Sequence, residues 1–302
     1  MKLNRITLFN HRHTSKKASA LLILLSLLTL TSFAANPDRP LEPIAAKLEP
    51  TKKIVYKRVA ERELALHVFN PEGHRSNHRR IAYLTIHGGG WVGGEPRKFY
   101  PFADYFARKG MVGISIEYRL LNKKRGTTVF DCVKDGRSAI RYIRTHAEEL
   151  GIDPNRIIVS GGSAGAHVAV GTALFDGVDE AGENTSISSR PNGVVLYYPV
   201  IDTSSNGYGQ AKIGEQWHQL SPVDNIVSGL PPMLLFHGTG DTVTPYPGVK
   251  RFQERMTQAG NDCELITHPD GPHGHLIFDL NLWEDAMKRT EAFIQSIFSA
   301  SP

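Results

Sequence analysis

The chain has 302 residues, of which 40% are hydrophobic and 22% charged, a composition that excludes an intrinsically disordered protein and suits one large α/β domain. Its formal charge of +5 comes from residues 1–34, which hold five basic residues and no acidic one. Without this segment the 35 basic residues fall to 30, equal to the 30 acidic ones. The balanced remainder gives nucleic-acid binding through bulk charge no support.

Residues 1–34 have the pattern of a secretory signal peptide. A basic stretch ends at Lys17, an apolar run covers residues 18–30, and small residues allow cleavage after Ala34. The apolar run is shorter than the roughly 20 residues of a membrane-spanning helix. We therefore expect a periplasmic or secreted protein without stable membrane association after cleavage; an uncleaved N-terminal anchor is the alternative.

Cys132 and Cys263 are the two cysteines of the chain. An exported protein could join them in a disulfide, and two free thiols are equally compatible with their spacing. Cysteines and histidines show no zinc-site spacing, so no metal site is predicted.

The next segment, residues 35–52, holds four prolines and is predicted to be an extended lead-in. One domain then covers residues 53–300. It starts with a predicted hairpin of strands 54–59 and 64–69, and the remaining strand candidates are 81–86, 112–116, 157–159, 194–198, 233–236 and 264–267. Helical segments separate most of them, the clearest running from Asp131 to Leu150 and the last from Leu280 to Phe298. This alternation predicts an α/β fold with a mostly parallel sheet, an N-terminal antiparallel hairpin and helices on both faces.

A long polar stretch lies between the strands that end near Tyr198 and begin near Met233. Loops of this length in compact domains are usually functional or disordered. We expect this one, which contains Tyr208 and Trp217, to overhang the carboxyl edge of the sheet, where α/β proteins bind ligands.

The pentapeptide Gly161-Gly162-Ser163-Ala164-Gly165 follows a predicted strand and opens a predicted helix. A serine on such a tight turn requires small neighbours, because the backbone is strained and the strand and helix pack closely. The turn would expose the Ser163 hydroxyl in front of a helix N-terminus, where negative charge is stabilised. The pattern predicts a nucleophilic serine; an incidental serine in a glycine-rich turn is the alternative.

His87-Gly88-Gly89-Gly90-Trp91 directly follows strand 81–86. Successive glycines let backbone amides approach a substrate oxygen closely. Together with the amide of Ala164 they would stabilise an oxyanion, and one such donor can contribute about 10²–10³ in rate. A phosphate loop would need a lysine followed by serine or threonine, which Gly93-Gly94-Glu95 does not supply.

A nucleophilic serine needs a base and an acid that orients this base, in the order serine, acid, histidine for such a fold. Asp241 follows strand 233–236, and His273 and His275 follow strand 264–267. We favour His273 over His275 because it precedes a glycine on a loop. Asp262 and Asp270 are the other candidate acids, but neither follows a sheet strand. His87 and His237 are predicted to brace loops by hydrogen bonding.

Taken together, the motifs carry a family resemblance that covers roughly residues 53–298. They are HGGGW at 87–91, Glu117-Tyr118-Arg119, Asp135, GIDPNRIIVSGGSAGAH at 151–167, HGTGD at 237–241 and HG at 273–274. The chain resembles the hormone-sensitive-lipase-like esterases of the α/β-hydrolase superfamily. Within them it is most similar to the bacterial carbohydrate-esterase-like group that includes feruloyl and acetyl-xylan esterases.

The resemblance implies a triad of Ser163, Asp241 and His273 and an oxyanion hole formed by the amides of Gly89, Gly90 and Ala164. It implies no metal and no organic cofactor, and a substrate that is a small-molecule or polysaccharide-linked ester. The side chains predicted to line the substrate pocket are Trp91, Tyr208, Trp217 and His275. His275 departs from the family pattern, which usually has a large apolar residue, commonly Phe, at this position. The basic loop Lys123-Lys124-Arg125 is also unusual, and we interpret it as a solvated turn rather than a contact to an acidic sugar.

The predicted activity is hydrolysis of short-chain acyl esters, including acetyl or feruloyl groups on polysaccharide. A peptidase or amidase on the same fold is one alternative, although such enzymes often carry a second domain. A non-catalytic ligand-binding homologue is another, and it would be expected to lack the catalytic histidine.

Overall fold

The computed structural model describes residues 39–299, so the predicted signal peptide lies outside the described residues. The described part begins with helix α1, Leu41–Lys47. The prediction of an extended lead-in is wrong here. Pro43 lies in the first turn of α1, where a missing N–H costs no intrahelical hydrogen bond. Leu41 and Ala45, four residues apart on one face, are buried and hold the helix against the domain.

The sheet has eight strands in the order β1-β2-β4-β3-β5-β6-β7-β8. Their bounds are β1 Lys52–Val59, β2 Arg62–Phe69, β3 Arg80–Ile86, β4 Val112–Ile116, β5 Ile152–Gly162, β6 Gly193–Tyr197, β7 Met233–Gly238 and β8 Cys263–His268. β2 pairs antiparallel with β1 and β4, and all pairs from β4 to β8 are parallel. The predicted fold class is confirmed.

The helices cover both faces of this sheet. Besides α1 they are α2 Tyr100–Arg108, α3 Val129–Thr145, α4 Ala164–Leu174, α5 Gln210–Ile213, α6 Tyr246–Gln258, α7 His275–Phe278 and α8 Leu280–Ser299. One core packs α3, α4 and α6 on the sheet, and the other packs α1, α2 and α8. α3 begins two residues before the predicted Asp131, because Thr128 and Asp131 form a capping box. It ends at Thr145, before the predicted end at Leu150, and Ala147 and Leu150 are buried just beyond it.

A buried ion-pair group joins two of the motif residues. Arg119, three residues after β4, donates to both carboxylate oxygens of Asp135 on α3, each at 2.8 Å. Lys57 of β1 lies 2.8 Å from the same carboxylate, which is fully buried. Breaking one partner would leave an uncompensated buried charge, so this group fixes the hairpin and α3 to one another.

Both cysteines are free thiols, Cys132 within α3 and Cys263 at the start of β8. Between residues 39 and 299 no helix has the length and apolar character needed to cross a membrane. The segments that follow β3, β5, β7 and β8 leave the sheet at its carboxyl edge, and Gly89, Ser163, Asp241 and His273 lie on these segments.

Candidate active site

Ser163 lies on the turn between β5 and α4 with φ +54° and ψ −122°, a region that costs a non-glycine residue conformational energy. The neighbouring glycines make this turn possible. A β-carbon on Gly161 would lie 2.5 Å from the carbonyl oxygen of Gly165, and one on Gly165 would lie 2.2 Å from that of Ile86. The turn therefore presents the Ser163 hydroxyl at the carboxyl edge, in front of the first amides of α4.

Ser163 forms a hydrogen-bond chain with His273 and Asp241. Nε2 of His273 lies 2.9 Å from Oγ of Ser163, and Nδ1 lies 2.8 Å from Oδ2 of Asp241. Because a carboxylate only accepts, Nδ1 carries the hydrogen, and Nε2 is left to accept the serine hydroxyl. The structure thus brings His273 next to Ser163, which lies 110 residues before it in the sequence, and next to Asp241, which lies 32 residues before it.

The carboxylate of Asp241 is held by further donors. The amides of Val243 and Thr244 donate to Oδ1 at 2.9 and 2.8 Å, and the Thr244 hydroxyl donates to Oδ2 at 2.8 Å. Burial raises the pKa of Asp241, but the hydrogen bonds from His273 and Thr244 outweigh it and leave the pKa below its ordinary value. Asp241 is therefore an ionised, oriented partner for His273. The other candidate acids, Asp262 and Asp270, are exposed and have no hydrogen bond to His273.

The His275 side chain points away from the hydrogen bonds that join Ser163, His273 and Asp241. It begins α7, is 3% exposed, and its Nε2 lies 3.0 Å from Nδ1 of His268. Burial, together with the nearby His268 and His237, lowers the pKa of His275 to about 4. Geometry therefore joins His273, and not His275, to Ser163. The prediction that His275 lines the substrate pocket is wrong, because its ring is turned into the protein.

The buried His275 should make the protein sensitive to acid. Its pKa is about 4 in the folded state against an ordinary 6.5, so the unfolded chain binds the proton first as the pH falls. Stability is then lost progressively between about pH 6.5 and pH 4. We expect His275→Phe to show a smaller decrease in Tm between pH 7 and pH 4.5 than the wild type, by roughly 2–4 °C or more.

Thermal unfolding followed by circular dichroism measures this effect. The exposed His218 is the control, and His218→Ala should keep the wild-type pH dependence of Tm. An unchanged pH dependence in His275→Phe would contradict the expectation. Because burial also lowers the pKa of His87 and of His167 to about 4, part of the acid sensitivity should remain.

The glycines of the HGGGW motif approach Ser163 closely. A β-carbon on Gly88 would lie 2.8 Å from the Gly162 carbonyl oxygen and 3.2 Å from the Ser163 β-carbon. Gly89 and Gly90 have φ values of +122° and +60°, which favour glycine. Within residues 39–299 the amides of Gly89 and Gly90 have no hydrogen-bond acceptor, so both are free to bind a substrate oxygen. The Ala164 amide, at the start of α4, is the third candidate donor.

The two other motif histidines brace loops. His87 is buried, its Nδ1 lies 2.8 Å from the Gly88 carbonyl oxygen, and its own carbonyl accepts from the Tyr118 hydroxyl at 2.9 Å. Nε2 of His237 lies 2.8 Å from the carbonyl oxygen of Thr244, a residue that also binds Asp241. Neither ring contacts Ser163.

A cavity of about 690 Å³ opens in front of Ser163 and His273. Its walls are mainly apolar and its rim is charged. The other lining residues are Arg39, Leu41, Glu42, Ala45, Ala46, Gly88, Gly89, Gly90, Glu95, Arg97, Lys98, Phe99, Tyr198, Tyr208, Val243, Gly274, Ile277 and Phe278. Its size suits a small-molecule ligand or part of a larger one. We name it the Ser163 cavity.

Of the four predicted pocket residues, Tyr208 alone lines the Ser163 cavity. Trp91 is fully buried, and its indole packs on Tyr208 and His167. Trp217 lies half-buried on a short 3-10 helix outside the lining. The basic loop Lys123–Arg125 is an exposed 3-10 helix that also lies outside it.

Sequence reasoning missed the two walls formed by α1 and α7. Leu41 and Ala45 belong to α1, and Ile277 and Phe278 belong to α7. The spacing of Leu41, Ile44 and Ala45 was the available signal for a helix, and the prolines around it obscured this signal. Among residues 39–299 no three His, Cys, Asp or Glu side chains gather as a possible metal site.

Known proteins similar to this chain include several esterases. "Probable isoprenylcysteine alpha-carbonyl methylesterase ICMEL1" of Arabidopsis thaliana is 28% identical over 224 residues, which cover 65% of this chain and 45% of that protein. Acetylxylan esterase of Xylanibacter ruminicola is 26% identical over 219 residues, covering 67% of this chain and 42% of that protein. This chain spans about half the length of the curated relatives that it matches.

Among solved structures, Thermogutta terrifontis esterase 2 phosphoramylated by tabun superposes with a TM-score of 0.78. It is 37% identical, and the match covers 83% of this chain and 96% of that one. The BD-FAE family model matches residues 66–256, well over half of the chain. This protein therefore belongs to the BD-FAE family, within the hormone-sensitive-lipase-like α/β-hydrolases.

Proposed function

We propose that this protein hydrolyses carboxylic esters with Ser163 as the nucleophile, His273 as the base and Asp241 as the acid that orients it. The observation that carries the proposal is the continuous hydrogen-bond chain from Asp241 through His273 to Ser163, ending at a cavity of about 690 Å³. The esterases among its relatives and structural neighbours support the same reaction.

The reaction proceeds in two halves. His273 takes the proton from the Ser163 hydroxyl as its oxygen attacks the ester carbonyl. The amides of Gly89, Gly90 and Ala164 stabilise the negative charge that develops on the carbonyl oxygen. His273 then gives the proton to the departing alcohol, and a water molecule cleaves the acyl-enzyme by the same steps. Asp241 stabilises the charged form of His273, which agrees with the lowered pKa of the Asp241 carboxyl.

Short acyl groups are the proposed substrates, including acetyl or feruloyl groups attached to polysaccharide. Thermogutta terrifontis Est2 has been solved with bound propionate and with bound butyrate, and a relative is named acetylxylan esterase. The apolar walls formed by Leu41, Phe99 and Ile277 suit an acyl or aromatic group. Residues 1–34 further suggest that the enzyme is periplasmic or secreted, where such polymers occur.

Two assays test this proposal. The purified protein should hydrolyse p-nitrophenyl acetate and butyrate faster than longer p-nitrophenyl esters, and acetylated xylan and methyl ferulate will show which natural ester it accepts. A fluorophosphonate probe should label Ser163, as read by peptide mass spectrometry. Absence of both turnover and labelling would favour the ligand-binding alternative, and faster cleavage of matched anilides than of esters would favour the amidase alternative.

A further inference from the structure

Tyr208 and Lys212 form a pair at the edge of the Ser163 cavity that the reaction scheme does not use. The turn at Gly209, with φ +103°, leads into α5 and brings Lys212 back over Tyr208. Nζ of Lys212 lies 2.5 Å from the Tyr208 hydroxyl oxygen and 4.6 Å from the centre of its ring. The same Nζ donates to the carbonyl oxygen of Gly90 at 3.2 Å.

Tyr208 is also held from the other side. Its ring packs on the buried Trp91 at a centroid distance of 5.5 Å, and its amide donates to the carbonyl of Asp202 at 2.8 Å. The hydroxyl lies so close to Gly90 that a β-carbon there would be 2.5 Å from it. Tyr208 is therefore fixed beside Gly90, whose amide is one of the proposed oxyanion donors.

The direction of these hydrogen bonds follows from the groups involved. An ammonium group only donates, so the Tyr208 hydroxyl accepts from Lys212 and keeps its own hydrogen for another acceptor. No residue between 39 and 299 accepts that hydrogen, while the Tyr208 side chain lines the Ser163 cavity. A hydroxyl that accepts from a cation is a stronger donor, because hydrogen bonds in a chain polarise one another.

We propose that Tyr208 donates this hydrogen to the ester carbonyl oxygen as that oxygen gains negative charge, and that Lys212 is the positioning residue for Tyr208 and Gly90. The inference rests on the proposed function, since it adds a side-chain donor to the amides of Gly89, Gly90 and Ala164. This inference gives the long loop between β6 and β7, which contains Tyr208 and Lys212, a part in the reaction.

Tyr208→Phe is the direct test, because it keeps the ring on Trp91 and removes only the hydroxyl. We expect kcat for p-nitrophenyl acetate to fall roughly 10- to 100-fold with KM nearly unchanged, the pattern of an interaction made in the transition state. Lys212→Met should lower kcat by a smaller factor of roughly 3- to 10-fold, and Lys212→Arg should restore part of it. In the Tyr208→Phe background, Lys212→Met should lower kcat by a smaller factor than in the wild type, because the part of the Lys212 effect that acts through the Tyr208 hydroxyl is already lost and only the contact to Gly90 remains.

Tyr105 and Lys109 of α2 provide the matched control. They form the same tyrosine–lysine pair four residues apart, with Nζ 5.5 Å from the ring centre, and neither lines the Ser163 cavity. Tyr105→Phe and Lys109→Met should keep the wild-type kcat. Circular dichroism and Tm will establish that each variant is folded. If Tyr208→Phe does not fold, the kcat values of Lys212→Met and Lys212→Arg will test the inference.

Wild-type kcat in folded Tyr208→Phe, or an increase in KM alone, would overturn the inference. Its failure is distinguishable from failure of the proposed function. If Ser163→Ala abolishes turnover while the Tyr208 and Lys212 variants retain it, only the role of this pair is refuted. If Ser163→Ala retains wild-type turnover, the esterase proposal itself fails.

Discussion

Ser163→Ala will lower kcat/KM for p-nitrophenyl acetate by roughly 10⁴-fold or more, since loss of the nucleophile leaves only binding and oxyanion stabilisation. The substitution keeps the β-carbon and the backbone conformation of the turn. It removes the hydrogen bond between the serine hydroxyl and His273, so Tm should change by no more than a few degrees. Initial rates at equal concentrations of folded protein will measure the effect.

Ser160 is a matched control for this variant because it lies three residues earlier on β5. Its buried hydroxyl donates to the carbonyl of Leu84 at 3.1 Å and does not line the Ser163 cavity. Ser160→Ala should lower the free energy of unfolding by about 1 kcal/mol while turnover persists. Equal loss of activity in both variants would attribute the defect to damage of the strand and not to the nucleophile.

His273→Phe will lower kcat/KM by roughly 10³-fold or more, because no other side chain in the described part of the chain lies in position to take the proton from Ser163. His275→Phe makes the same chemical change two residues further along and should keep turnover near the wild-type value at pH 7.5. The comparison separates loss of the base from disturbance of the loop before α7.

A double variant sharpens this second prediction. Residues that act as one unit are not additive, so Ser163→Ala combined with His273→Phe should be no slower than Ser163→Ala alone. If His275→Phe proves inactive and His273→Phe active, the assignment of the base is reversed. Each variant is measured on the same p-nitrophenyl ester with Tm as a check of folding.

The sheet was predictable because its signals are local. Apolar runs bounded by turn residues placed every strand, and alternation with helices implied parallel pairing. The boundaries were less accurate where one signal opposed another. The apolar run predicted a strand at 157–159 only, because polar residues and Pro154 precede it, yet β5 starts at Ile152, which pairs with Arg80 of β3 before an irregularity. For α1, the surrounding prolines led to the prediction of an extended segment, although Leu41, Ile44 and Ala45 have helical spacing.

The meeting of the three side chains of the candidate site was predictable for a different reason. Chain order and attachment to the carboxyl ends of strands restrict where Ser163, Asp241 and His273 can meet. Pocket lining was not predictable in this way. Trp91 is buried against Tyr208 and His167, and the long loop places Tyr208 at the cavity and Trp217 outside its lining. Such choices depend on tertiary packing that no local pattern encodes.

Two walls of the Ser163 cavity come from segments other than the turn that carries Ser163. Helix α1 and the apolar pair Ile277 and Phe278 lie outside residues 66–256, the region that the BD-FAE family model matches. Ser163 and the glycines opposite it lie inside this region. Substitutions in α1 and at Ile277 and Phe278 can therefore change the surfaces that contact the acyl or alcohol group and leave the strained turn at Ser163 as it is, provided that His273, four residues before Ile277, keeps its place.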